Sequence, residues 1–150
     1  PGFLIMALKD PFGAHLERVQ IVKGWLDAQG ESHEKVYDVA VAETSGSTVN
    51  VQEATYTNTV GRSQFANFWK DPNFNPAERA FYYVRVIEIP TPRWTAYDVA
   101  RLGTEIIPEA TMVVQDRAYT SPIWYTPARV RGASSPESTP IRLGTNISLD

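Results

Sequence analysis

The chain has 150 residues, a net charge of −3 and no cysteine. The missing cysteine excludes disulfides, thiolate metal sites and a cysteine nucleophile. The acidic balance, without a basic stripe, gives no indication of nucleic-acid binding. No apolar stretch approaches the ~20 residues of a membrane span, and no basic segment precedes the first apolar run as in a signal peptide. Both a periplasmic and a cytoplasmic location are consistent with these features.

The first part of the sequence predicts three short strands. Residues 3–8 form a short apolar run, and residues 18–26 alternate with the period of two that is typical of a half-buried strand. Residues 27–34 are polar and contain a glycine, so they predict a hairpin connection to a strand over residues 35–42. The residues predicted to face the core are Val19, Ile21 and Trp25 on the first strand of this hairpin and Tyr37, Val39 and Val41 on the second.

The second part predicts further strands and little helix. Residues 54–59 are rich in β-formers, whereas residues 63–70 fit either one helical turn or a bulged strand. Residues 81–89 are aromatic and β-branched, which predicts a central strand covered on both faces. Residues 97–102 predict a short helix, and residues 111–125 predict two extended pieces.

These elements predict a mainly β fold with at most one or two short helices. Short strands joined by Pro- and Gly-containing turns favour an antiparallel β-sandwich, with an open β-barrel as the alternative. We expect residues 1–127 to form the sandwich-like domain. Residues 128–150 are rich in Ser, Pro and Gly and predict a linker or an extended tail.

Candidate metal ligands are weak. Asp71, Asn73 and Asn75 have the i, i+2, i+4 spacing of a calcium loop, but a hard cation takes about six oxygens and usually several carboxylates. This segment supplies one carboxylate and contains prolines, so turn capping by the short side chains is the favoured interpretation. His15 and His33 lie far apart and lack the spacing of a metal pair.

Four residues are candidates for substrate or interface contacts: Lys23, Arg85, Arg93 and Trp94. Trp94 follows an arginine in a Pro-rich segment, where the pair could stack on or clamp an anion. Trp25 and Trp124 are instead expected in the core, since aromatic side chains commonly fill a sandwich. No catalytic residue is predicted.

Several motifs together resemble a known family. They are the segments 20–25, 36–40, 54–59, 80–86, 88–94 and 118–127. Their combination resembles the C-terminal region of a bacterial domain-of-unknown-function family, which is similar to polymerase-and-histidinol-phosphatase (PHP) metallohydrolases, including carbaryl-hydrolase-like members. The resemblance covers roughly residues 3–127.

The resemblance implies a function for a larger assembly. In such hydrolases an N-terminal barrel binds divalent metal, and an activated water attacks a phosphoester, ester or carbamate. The barrel and its histidine motifs are absent from this sequence, so no metal ligand, cofactor site or catalytic residue is carried over. We therefore expect an accessory C-terminal β-domain, a fragment or companion of a barrel-containing chain, which is its expected partner.

A second hypothesis is a self-standing binding or assembly module. A sandwich with exposed strand edges can add strands to a partner or exchange them in an oligomer. Residues 3–8 and the tail from residue 129 are the candidate elements for such exchange. A strand-swapped oligomer is the corresponding partner prediction.

Overall fold

The computed structural model describes residues 1–105 and 108–128, and strands dominate them. In chain order the elements are β1 (Gly2–Leu8), β2 (Leu16–Leu26), β3 (Ser32–Val41), β4 (Gln64–Lys70), β5 (Arg79–Glu88), β6 (Thr91–Pro92), α1 (Trp94–Leu102), β7 (Val113–Val114), β8 (Arg117–Tyr119) and β9 (Ile123–Tyr125). All strand pairs are antiparallel, which confirms the predicted mainly β class. The predicted tail lies outside the described residues, apart from Ala128.

A five-stranded sheet forms the lower layer of the fold. Its order is β3-β2-β5, with β8 and β9 both pairing with the far edge of β5. The predicted hairpin of β2 and β3 is confirmed, and the Asp27 carboxylate stabilises its turn by accepting the Gln29 and Glu31 amides at 2.9 Å each. The prediction that β2 is half-buried was wrong, because β2 lies between two strands and nearly all of it is buried on both faces.

The upper layer is the antiparallel ribbon of β1 and β4. Residues 64–70 form a strand, which decides between the two alternatives that the sequence left open. Ile5 and Phe65 point from this ribbon into a core shared with Val19, Ile21 and Tyr82 of the lower sheet. The two layers thus enclose one hydrophobic core in the manner of a sandwich.

A bulge in β3 changes which residues face the core. Val19 pairs with Ala40 and Gln20 with Asp38, so Val39 has no direct partner on β2. The extra residue rotates the strand, and Ala40 packs against the core while Val41 is exposed. The predicted common face of Tyr37, Val39 and Val41 was therefore wrong at Val41.

The strand predicted over residues 54–59 is not formed. A single bridge joins Asn50 and Thr55, and the Asn50 side chain accepts the amides of Gln52 and Glu53. Ala54 has φ 50°, a left-handed conformation that interrupts an extended chain. Side-chain capping thus turns this segment despite its β-forming composition.

The helix and the last strands follow their predictions in outline. Helix α1 begins at Trp94, earlier than predicted, and ends at Leu102. Gly103 caps it in a left-handed conformation with φ 63°, and the Gly103 amide donates to Val99 O. The stretch predicted as two extended pieces contains three short strands, β7 to β9. Within the described residues, no helix is both long and apolar enough to cross a bilayer.

Candidate functional site

A buried ionic cluster lies where β2 meets the loop that follows β4. The sheet register places Lys23 opposite Tyr82 on the core face. Lys23 Nζ lies 2.7 Å from Asp71 Oδ2, and the two side chains are 3% and 0% exposed. The Tyr82 hydroxyl donates to the same carboxylate oxygen at 2.8 Å, and Lys23 Nζ also donates to Asn73 O at 2.9 Å.

The electrostatics of this cluster favour a single charge state. Burial alone would raise the pKa of Asp71, but hydrogen bonds from Lys23, Tyr82 and the Asn73 amide outweigh it and lower that pKa. Burial and the hydrogen bond to Asp71 raise the pKa of Tyr82. At neutral pH the cluster therefore holds an ionised carboxylate and a protonated phenol, with the Lys23 ammonium 5.0 Å from the Trp25 ring centre.

The candidate metal ligands make protein hydrogen bonds. Asp71 Oδ1 accepts the Asn73 amide at 2.9 Å, and Asn75 Oδ1 accepts the Ala77 amide at 3.0 Å. Asn73 Oδ1 accepts the Tyr37 hydroxyl at 3.3 Å. The contacts of Asp71 and Asn75 are the turn-capping contacts favoured from the sequence. Over residues 1–105 and 108–128, no three His, Cys, Asp or Glu side chains cluster closely enough to hold a metal ion.

The four predicted contact residues do not form one site. Lys23 lies on the core face of the lower sheet, whereas Arg85 lies on the opposite, outer face beside Gln20. Arg85 Nε donates to Gln20 Oε1 at 2.8 Å. Arg93 and Trp94 lie at the start of α1, where the guanidinium carbon is 6.0 Å from the ring centre and Trp94 is 63% exposed. The structure thus places these residues in three separate environments.

The outer face of the lower sheet carries a row of aromatic rings that sequence reasoning missed. Trp124 and Phe81 have ring centres 5.2 Å apart, and Phe81 and Tyr83 are parallel at 6.4 Å. Phe81 lies over Gly24, where an added Cβ would come within 2.4 Å of the ring. The expectation that Trp124 is in the core was wrong, because the register pairs it with Phe81 on this face and leaves it 72% exposed.

The outer face of the β1–β4 ribbon is apolar and exposed. Leu4 is 76% exposed, Met6 74%, Leu8 74% and Phe68 66%. Leu4 lies directly opposite Phe68, so the side chains form a contiguous patch, which we call the ribbon face. The sequence signal for it is present in β1, whose residues are apolar at successive positions and so predict apolar side chains on both faces.

Comparison with known proteins identifies a family. The family model described as "Protein of unknown function (DUF3604)" matches residues 1–127. A search of curated proteins and a search of solved structures each found no match. Because the family model covers far more than half of the chain, the chain belongs to the DUF3604 family of proteins of unknown function.

Proposed function

We propose that this chain is an accessory β-domain of a PHP-like metal-dependent hydrolase of the phosphoester, ester or carbamate class. The barrel domain of the same or a companion chain would bind the divalent metal and carry out the chemistry, and this chain would not be catalytic by itself. The motif resemblance supports the hydrolase class. The observation that carries the accessory role is the exposed apolar ribbon face.

The ribbon face has the character of a surface that another domain covers. The inner side of the ribbon buries Ile5 and Phe65 in the core, while its outer side exposes Leu4, Met6 and Phe68. A strand that is apolar on both faces is typical of one packed on both faces. Contiguous apolar patches of this kind are uncommon on free monomers and mark interaction sites.

The polar groups support a structural rather than a catalytic part for this chain. Lys23, Asp71 and Tyr82 satisfy one another, and no buried side-chain nitrogen or oxygen among the described residues lacks a hydrogen-bond partner. A general base or nucleophile needs a free position facing substrate. The cluster instead fixes the loop after β4 to the lower sheet.

Charge substitution tests whether the ribbon face is exposed in the isolated chain and so free to be covered by another domain. The double variant Leu4→Lys/Phe68→Lys should keep the stability of the isolated chain and reduce its binding of the dye ANS, because both side chains are exposed. Ile5→Lys on the same strand is the matched control and should unfold the protein, since Ile5 is buried. If the double variant were as unstable as Ile5→Lys, the ribbon face would already be covered within the chain.

The catalytic part of the proposal has a separate test. The purified chain would be incubated with Mn²⁺, Zn²⁺ or Mg²⁺ and 4-nitrophenyl phosphate, acetate or N-methylcarbamate. We expect release of 4-nitrophenol at the buffer rate. Metal-dependent turnover that co-purifies with the chain and disappears on its unfolding would overturn the proposal. Intact mass and peptide mapping of source material would show whether a barrel precedes Pro1.

A second candidate function is that of a self-standing binding or assembly module. The observation in its favour is that β1 pairs with β4 on one side and with no described strand on the other. An unpaired strand edge is a template for a strand of another chain. Sedimentation of the purified chain distinguishes a self-assembling module, which forms oligomers, from an accessory domain that awaits a different partner.

A further inference from the structure

The upper layer of the sandwich is narrower than the lower one. β1 lies above β5, with the Phe3 and Tyr82 ring centres 5.0 Å apart, and β4 lies above β3, with Trp69 and Tyr37 also 5.0 Å apart. β8 and β9 extend the lower sheet beyond β5, where no described strand continues the upper layer. Residues 1–105 and 108–128 therefore leave the position beside β1 and above β8 unfilled.

The open position exposes apolar surface that belongs to the core side. Val84 and Val86 face the space between the layers but are only half-buried, and Ala118, paired with Val86 on the same face, is exposed. A groove of about 400 Å³ occupies this place. Met6 and Leu8 line one side of the groove, and Ala118 lines the other.

The backbone of β1 offers unused hydrogen-bonding groups to this groove. The Lys9 amide donates to Ser63 O at 3.0 Å, and the Asp71 amide donates to Pro1 O at 3.1 Å. Because hydrogen-bonded pairs alternate along an antiparallel ladder, residues 3, 5 and 7 bond β4, whereas Leu4, Met6 and Leu8 direct their N–H and C=O groups to the free edge. No described residue hydrogen-bonds these outward groups.

The edge of the lower sheet at β3 is protected by contrast. β3 carries Glu34, Lys35 and Asp38, has a bulge at Val39, and has the Val39 carbonyl capped by Asn67 Nδ2. Edge charges and bulges are the devices by which proteins prevent unwanted strand addition. β1 has no charge, proline or bulge, so its edge lacks the protection that the edge of β3 has.

The end of the groove near Leu8 has an acidic character. Glu88 and Asp116 line it together with Arg117. Burial first, and then repulsion by the charges of Asp116 and Asp10, raise the pKa of Glu88, while the charge of Lys9 acts in the opposite direction. A basic side chain placed here would relieve that repulsion.

We infer that this groove accepts an extended segment of a partner protein as a third strand of the upper layer, antiparallel to β1. The segment bonds the outward backbone groups of Leu4, Met6 and Leu8. Its alternate apolar side chains cover Val84, Val86 and Ala118, and a basic residue near its N-terminus faces Glu88 and Asp116. This inference does not depend on the hydrolase proposal, because it rests on the free backbone edge of β1, although Met6 and Leu8 belong to both the ribbon face and the groove.

A second folded copy of this chain does not fit as the occupant. In such a copy β1 already lies above its own β5. Pairing two β1 edges would bring the lower sheet of the second copy into the space that β8 occupies beneath the open position. The added strand must therefore be free of a lower layer of its own, as an extended segment of another protein is.

Residue-resolved amide exchange tests the inference directly. The probe is acetyl-Lys-Thr-Val-Thr-Val-Thr-Val-amide, added to the isotope-labelled full chain and followed by NMR. We expect exchange to slow at the amides of Leu4, Met6 and Leu8, while Phe3, Ile5 and Ala7, already bonded to β4, change little. Unchanged exchange at the outward amides under saturating peptide, or protection spread over both sets, would overturn strand addition at β1.

Variants and a second peptide test the floor and the charge of the groove. By fluorescence anisotropy, Ala118→Lys should weaken peptide binding at least about tenfold, whereas the matched control Ala66→Lys, on the outward side of β4, should not. The same peptide beginning with Glu should bind about fivefold more weakly than the Lys peptide. Equal effects of the two substitutions, or equal binding of the two peptides, would contradict the proposed placement, and peptide-independent dimers lost in Ala118→Lys would assign the groove to a second copy.

Discussion

The Lys23 ammonium and the Asp71 carboxylate lie 2.7 Å apart with almost no exposure to solvent. Lys23 belongs to β2 in the lower sheet, and Asp71 directly follows β4 in the upper layer. The pair therefore joins the two layers at the end of the ribbon by a charged contact. Such a contact is costly to break, because either ion left alone would remain buried without its partner.

Removing one ion should be more harmful than removing both. Asp71→Ala should lower the free energy of unfolding by about 3–5 kcal/mol, since it leaves a buried ammonium unpaired. The double variant Lys23→Met/Asp71→Leu should recover part of this loss, with about 1–3 kcal/mol remaining for the unpaired Tyr82 hydroxyl. Urea unfolding measures each free energy. A double variant less stable than Asp71→Ala would contradict the ion-pair account.

The same ion pair predicts that the stability of the fold depends on pH in the acidic range. The pKa of Asp71 is lower in the folded protein than its ordinary value, so the folded state binds this proton less readily than the unfolded state. The stabilisation is therefore fully present above the unfolded pKa of about 3.9 and is lost as the pH falls through the folded pKa. The difference in urea midpoint between wild type and Asp71→Asn should stay constant at neutral pH and shrink in this acidic range. A difference that persists undiminished in acid would argue against the ionised carboxylate.

Two glycines with similar backbone angles should differ in their response to alanine. Gly61 has φ 76° and Gly30 has φ 83°. A Cβ at Gly61 would lie 2.8 Å from Ile89 Cγ2 and 2.9 Å from Leu16 O, whereas one at Gly30 would meet nothing within 4 Å. Gly30→Ala should cost about 1–2 kcal/mol of unfolding free energy for the left-handed backbone, and Gly61→Ala about 1–3 kcal/mol more for overpacking. Thermal or urea unfolding checks the order, and equal costs would show that the turn at Gly61 can open.

The two tryptophans predicted to lie in the core should differ in how much each stabilises the fold. Trp25 packs against the core and stacks on His33 with ring centres 5.2 Å apart, whereas Trp124 contacts Phe81 on an exposed face. Trp25→Ala should cost about 3 kcal/mol, near the low end for a buried tryptophan, and Trp124→Ala about 0.5–1.5 kcal/mol for one aromatic contact. Urea unfolding followed by far-UV circular dichroism measures both losses. Comparable losses would mean that Trp124 is covered in solution.

The hairpin of β2 and β3 could be predicted from the sequence because its signals are local. Alternation on each strand and a polar, glycine-containing connection are enough to indicate two adjacent antiparallel strands. The outward orientation of Val41 could not be predicted in the same way. One bulged residue at Val39 reverses which side chains face the core in the later part of β3. A bulge depends on the partner strand and leaves little trace in the sequence pattern of the strand that contains it.

The candidate site was less accessible to sequence reasoning because it depends on distant pairings. Lys23 Nζ and the carbonyl of Asn73 are 50 residues apart in the chain, yet they are joined by a hydrogen bond. Lys23 is a predicted contact residue, and a lysine in a strand usually faces water, so nothing in its local sequence indicates its burial. Its burial follows only once β5 brings Tyr82 opposite it and the loop after β4 supplies Asp71.

The capped bulge on β3 has a consequence for the size of any complex. The Asn67 side-chain amide donates a hydrogen bond to the Val39 carbonyl on β3, whereas the outward N–H and C=O groups of β1 are accessible. Growth by strand pairing needs two receptive edges, because each added unit must in turn receive the next. With the edge of β3 closed, a row of molecules joined from β1 of one to β3 of the next cannot grow. The open edge of β1 therefore does not provide that route to fibres.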